Sequence, residues 1–248
     1  RNKCQSFTKY LWFCMDHVGF YGNNPRRRDS GHHKVFDRYW QMTAQQGQGD
    51  FIGFHHHPVP FSGNYNESGT AFWGGENLNQ ILCRKIIDRQ WFPVAFRPGF
   101  HTERPDSNWF LEQWIPFDYG NQSVKTEETE QIDLSTGRFG DWRHAPLEWR
   151  PYHPAHDDYQ RKGNCRRWIT RCLNMYARIR QITWEDVEDA FLAAQAGENV
   201  ILSFTDHDYK DMRYEINVVR DLIACMAQKY PEIPFEYADA VSAMRKCL

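Results

Sequence analysis

Apolar runs of strand length alternate with segments of helical period along most of the chain, and this alternation constrains the fold more than any other feature of the sequence. Lys9 to Met15 reads as a buried first strand, Lys34 to Gln45 as a helix carrying Val35, Tyr39 and Met42, Phe51 to His57 as a second strand, and Asn77 to Arg89 as a second helix. Phe92 to Phe96, Asp106 to Trp114 and Ile115 to Tyr119 continue the series as strand, helix and strand. The rhythm then breaks from Gly120 to Gly163 and returns with an extended stretch from Arg166 to Ile179. Thr183-Trp-Glu-Asp186 has the spacing of a capping box, and Gly197 supplies a helix stop. Val200 to Thr205 reads as a strand, Tyr214 to Lys229 as a strongly amphipathic helix, and Phe235 to Tyr237 as a last short strand. Strands joined by crossover helices form parallel sheets, and 248 residues with no internal repeat or composition shift suit one domain. The expected fold is an α/β, distorted single-domain (β/α) barrel over residues 1–248, with a long insertion at about 120–163 after the fourth strand.

Composition narrows the partners. Thirty basic side chains stand against thirty-two acidic ones, so no global field draws the chain to nucleic acid or to an anionic membrane. The longest apolar stretches fall far short of the ~20 residues of a spanning helix, so no membrane span is expected. The seven cysteines form no CxxC pair, which argues against a disulfide framework or a zinc ribbon and favours a reducing, cytoplasmic setting. Because the chain starts at Arg1, an export signal upstream of it stays open. Ten tryptophans give an aromatic content suited equally to a bulky core and to stacking on sugar rings.

Ionisable groups gather where the strands end. Asp16 and His17 follow the first, His55 to His57 close the second, Arg97 the third, Asp118 the fourth, and Asp206-His207-Asp208 a late one. In parallel α/β folds these carboxyl ends carry the chemistry, and a buried charge without a partner is costly. Residues two apart on a strand share a side, so His55 and His57 can reach one metal while His56 faces away. Taken alone, such a triplet is more readily a core histidine, a surface cluster or helix-cap chemistry than a metal site. Two imidazoles completed by a third His or a carboxylate suit a divalent metal, Zn²⁺ first and Fe, Ni or Co next. In the insertion, Trp142, Trp149, Tyr152, His144, His153 and His156 read either as a sugar-binding lining or as anchors of a long loop, and Arg26 to Arg28 as a solvated loop face.

These motifs occur in an order that resembles the polysaccharide deacetylase, or NodB-like carbohydrate deacetylase, family. Cys14-Met-Asp-His17 lies where that family carries Thr-Phe-Asp-Asp, and Ile52-Gly-Phe-His-His-His-Pro58 resembles its Ile-Gly-x-His…His-Pro. Phe96-Arg-Pro-Gly99 resembles its Arg-Pro motif, and Leu202-Ser-Phe-Thr-Asp-His207 its late Leu…His motif. The sequence departs from the pattern in carrying His17 for the second aspartate and in spacing its paired histidines by two instead of four. The resemblance implies a TIM-like barrel whose divalent metal, held by His17, His55 and His57, activates water against an acetamido carbonyl. It implies Asp16 as general base, with a ligand role left open, Arg97 as the group that orients Asp16, and His207 as general acid. Either Asp118 or an aspartate beside His207 is the expected partner of that histidine. The expected substrate is a carbohydrate, whether polymer, lipid-linked precursor or nucleotide sugar. Two other functions stay open: a non-catalytic glycan-binding barrel, and metal-dependent hydrolysis of a non-sugar amide or a glycosidic bond.

Overall fold

A computed structural model describes residues 8–15, 32–46, 49–58, 60, 62, 64, 67, 69, 76–125, 137–175 and 180–248. Asp16, His17 and Arg26 to Arg28 lie outside the described residues. The architecture is mixed α/β. Strands β1 (Leu11–Met15), β2 (Phe51–His56), β3 (Ala95–Pro98), β4 (Phe117–Asn121) and β5 (Trp168–Arg171) form one parallel sheet in chain order. A second parallel pair follows, β6 (Leu173–Asn174) with β7 (Phe204–Thr205). Only Cys172 separates β5 from β6, and its N–H donates to the Asn121 carbonyl at 2.8 Å, so the backbone pairing runs on from one sheet toward the next. Among the described residues no pairing joins β7 to β1.

Six helices occur among the described residues: α1 (His32–Gln46), α2 (Glu76–Arg89), α3 (Pro105–Trp114), α4 (Trp184–Gln195), α5 (Arg213–Lys229) and α6 (Ala240–Cys247). None is long and apolar enough to cross a membrane. On one face of the sheet, Phe54 and Phe96 pack against Leu78 and Leu82 of α2 and Leu111 of α3. On the other, Ala95, Phe117, Tyr119 and Cys172 pack against Met244 of α6, and the Tyr119 hydroxyl donates to the Ala240 carbonyl at 2.6 Å. A third cluster joins Leu173 and Met175 to α4 and α5 through Val187, Phe191, Val219, Ile223 and Met226.

The helix signals of the sequence hold where they are local. Thr183 and Asp186 cap α4 reciprocally, each side chain meeting the other's backbone N–H, and Gly197 follows at φ +89°. Several strand expectations change, Val200 to Thr205 among them, which shortens to Phe204–Thr205. The third strand starts at Ala95 rather than Phe92, and the fourth spans Phe117–Asn121, placing Asp118 near its start instead of its end. Phe235 to Tyr237 is no strand; the chain there leads into α6, which Asp239 caps by accepting from the N–H groups of Val241 and Ser242 at 3.0 and 2.9 Å. The insertion is anchored by its aromatics. Trp142, Trp149 and Tyr152 are buried, and their polar tips donate to the carbonyls of His101, Asp186 and Tyr159 at 2.8, 2.8 and 2.7 Å. The loop-anchor reading therefore describes these three side chains.

Candidate functional site

Parallel registration sets the carboxyl ends of the strands side by side. Met15 pairs with His55, His55 with Arg97, and His56 with Pro98. Side-chain alternation along β2 then sorts the histidine triplet. His56 is buried on the side of Phe54, with their rings nearly parallel and 6.2 Å apart. His55 and His57 take the other side and converge, their Nε2 atoms 3.1 Å apart.

Their proton inventory follows from the neighbours. His55 Nδ1 lies 2.7 Å from the Arg97 carbonyl oxygen, which can only accept, so Nδ1 carries the proton. Burial, then the charges of His57 and Arg97, hold this imidazole well below the usual histidine range. It is therefore neutral at pH 7 and turns the lone pair of Nε2 toward His57. The 3.1 Å contact is then a hydrogen bond donated by His57 Nε2–H. The His57 ring is wedged between Gly99 and the Phe100 ring, which meets it edge to face at 4.6 Å.

Arg97, buried at the end of β3, faces several partners at once. Burial pulls its guanidinium below the ordinary value, while a contact with the Cys172 thiol and the charges of Asp118 and Asp206 favour its charged form. Its Nη2 lies 3.4 Å from His101 Nδ1. Burial, then Arg97 and Arg180, keep His101 well below the usual range, so that ring is a neutral acceptor. His101 sits in a short 3₁₀ turn, Gly99–His101, where Phe100 and His101 both adopt left-handed backbone at φ 52° and 53°. Such conformations are uncommon for residues with a Cβ, and surrounding contacts must hold them. Here the insertion does so: Gly140 N–H donates to the Phe100 carbonyl at 3.1 Å and Trp142 Nε1–H to that of His101.

His207 follows β7 of the second parallel pair; the residue is exposed overall, and its ring lies near enough to Arg97 and His55 for their charges to be felt. Partial desolvation of the ring's inner side, then the charge of Arg97, lower its proton affinity, against the raising effect of Asp206. Its acidic neighbour is thus Asp206, whose carboxylate also meets Lys210 Nζ at 3.1 Å. Asp118 is engaged elsewhere: it pairs with Arg167 and accepts from Gly120 N–H at 2.5 Å. Arg167 also donates to Glu103 Oε1 at 3.0 Å, so one fully buried guanidinium bridges two fully buried carboxylates. Burial pushes the Asp118 carboxyl well above its usual range, with Arg167 opposing and Glu103 adding to the rise.

The structure thus gathers His55, His57, Arg97 and His207 beyond the carboxyl ends of β2, β3 and β7, keeps Asp206 beside His207, and adds His101 and Cys172, which no sequence motif singled out. A separate trio, Glu112, His156 and Cys165, brings three metal-capable atoms within 4.8 Å of one another, Glu112 coming from a segment more than forty positions before the other two.

No family model, curated protein or solved structure matches the chain. Its residues and their geometry carry the functional reading.

Proposed function

We propose that the chain is a metal-dependent hydrolase that removes an acyl group, N-acetyl first among them, from a carbohydrate, on a distorted (β/α) barrel of the kind its motifs resemble. The convergence of His55 and His57 carries this reading. Nitrogen ligands of one tetrahedral Zn²⁺, each ~2.0–2.1 Å from it, stand roughly 3.3 Å apart, close to the 3.1 Å between the two Nε2 atoms; a cation would replace their hydrogen bond, with His57 carrying its proton on Nδ1 instead. The hydrogen bond from His55 Nδ1–H to the Arg97 carbonyl is the outer support that metal-bound histidines receive, fixing tautomer and ring direction. His55 and His57 would hold the cation, with Fe, Ni or Co accepted by the same donors. His17 as third ligand and Asp16 as base belong to the proposal from the motif order, the two residues following Met15, whose backbone is in register with His55.

A divalent cation bound there supplies Lewis-acid polarisation of the acyl carbonyl and lowers the pKa of a water toward ~7. The chain's own groups do the remainder. Arg97 fixes His55 through its carbonyl and places a buried positive charge beside the imidazoles. The tight turn at Gly99 sets the His57 ring. His207, next to Asp206, protonates the leaving nitrogen as the tetrahedral intermediate collapses.

The test combines metal analysis with product analysis on N-acetylated oligosaccharides. His55→Ala and His57→Ala should each retain less than a tenth of the wild-type metal and release no acetate. His207→Ala should keep the metal and lose at least 100-fold in acetate release. Full metal occupancy in either ligand variant would refute the site. Reducing-sugar release in place of acetate would move the chemistry to a glycosidic bond, and wild-type protein that holds no metal and yields neither product would favour the glycan-binding barrel.

A further inference from the structure

We propose that Glu112, His156 and Cys165 form a second metal site, for a borderline-soft divalent cation of the Zn²⁺ type, which clips the insertion to α3. Their ligand atoms lie within 4.8 Å of one another, and His156 Nδ1 is already 2.9 Å from Glu112 Oε2. A thiolate, an imidazole and a carboxylate in one place select Zn²⁺ and its neighbours over Ca²⁺ or Mg²⁺, which take oxygen ligands.

The backbone around the trio is fixed before any ion arrives. Residues 153–165 form a tight hairpin, with Ala155 N–H donating to the Arg161 carbonyl at 2.8 Å, Gly163 to His153 at 2.7 Å, and Cys165 to Pro154 at 3.0 Å. The strands approach so closely that a Cβ on Gly163 would stand 2.4 Å from Ala155 Cα. Side chains of α3 then dock the hairpin: Asn108 Nδ2 donates to the Ala155 carbonyl at 2.7 Å and Trp109 Nε1 to that of His156 at 2.6 Å. Glu112 therefore comes from the helix, His156 from the hairpin tip and Cys165 from its return arm. The Arg166 N–H orients Glu112 by donating to Oε1 at 3.1 Å, leaving Oε2 toward the histidine. Cys165 is buried while the His156 side chain is 56% exposed, so an ion enters on the histidine side and a solvent ligand completes four-coordination. The guanidinium of Arg166, 79% exposed, is screened by water and does not forbid a cation.

Titrating the metal-free 248-residue chain with Co²⁺ tests this independently of the hydrolase reading, because the imidazoles of His55 and His57 give no thiolate-to-metal band. Wild type should develop a near-ultraviolet thiolate-to-Co²⁺ charge-transfer band that saturates, and in His55→Ala, where only this site remains, it should saturate at one equivalent. Cys165→Ser should abolish it, and Glu112→Gln and His156→Ala should each weaken Co²⁺ binding at this band at least tenfold. His55→Ala should leave it unchanged. Circular dichroism of the metal-free variants establishes that each is folded. Absence of the band in wild type, or its persistence in folded Cys165→Ser, would overturn the second site.

Discussion

Gly99 lies against the His57 imidazole so closely that a Cβ built on it would stand 2.5 Å from the ring's Cγ and 2.7 Å from Nδ1. The clash falls at the root of the ring, where a small rotation cannot relieve it. The glycine is thus needed for close approach of backbone to a functional side chain.

Gly99→Ala should push the His57 ring away from His55 while leaving the sheet in place. Overpacking of this kind costs roughly 1–3 kcal/mol, so a modest fall in the urea midpoint is expected. Metal retention should fall at least tenfold alongside it. Measured together, unchanged retention at lowered stability would show that the ring is placed by something other than this contact.

Acid sensitivity should trace to the buried imidazoles. His101 is held well below the usual range by burial, then by Arg97 and Arg180. A histidine depressed in the folded state takes its proton more readily in the unfolded chain. Stability is therefore complete above the unfolded value of ~6.5 and is lost as pH falls from there through the folded value. His101→Asn preserves the left-handed backbone at φ 53°, which Asn tolerates. Urea unfolding of the metal-free variant at a series of pH values should show a slope shallower by about one proton below pH ~6.5. An identical slope would assign the acid limb to other groups.

The Arg167 bridge should be the most fragile point of the core. Its guanidinium and the carboxylates of Glu103 and Asp118 have fully buried side chains. Removing one partner of a buried charge cluster typically costs ~3–5 kcal/mol, because the remaining charges lose compensation. Arg167→Met should therefore cost about that much in equilibrium unfolding, and adding Glu103→Gln and Asp118→Asn should restore part of it. Additive losses across the three substitutions would mean that the groups do not act as a cluster.

How far the sequence could be read depended on the range of the forces involved. Helices α4 and α5 followed from residues within one or two turns: the Thr183–Asp186 cap, and Val219, Ile223 and Met226 on one stripe. β3 and β4 resisted because the sheet is covered on both faces. Arg97, Asp118 and Asn121 are buried inside strands that otherwise have no alternation to detect. α6 was missed because eight residues carry too few turns for a periodic signal, and its burial depends on the distant Tyr119 and Cys172.

By itself the sequence determined the α/β alternation, the helix limits set by caps and glycines, and the placing of His55 and His57 on one side of a strand. All of these are properties of neighbours along the chain. Tertiary structure alone decided that the Arg97 carbonyl fixes the His55 tautomer, that Gly99 sets the His57 ring, and that Trp142 pins the turn carrying His101. It alone brought Glu112, His156 and Cys165 together. Such contacts join residues tens of positions apart, and only the packing of helices and insertion onto a registered parallel sheet brings them within bonding range.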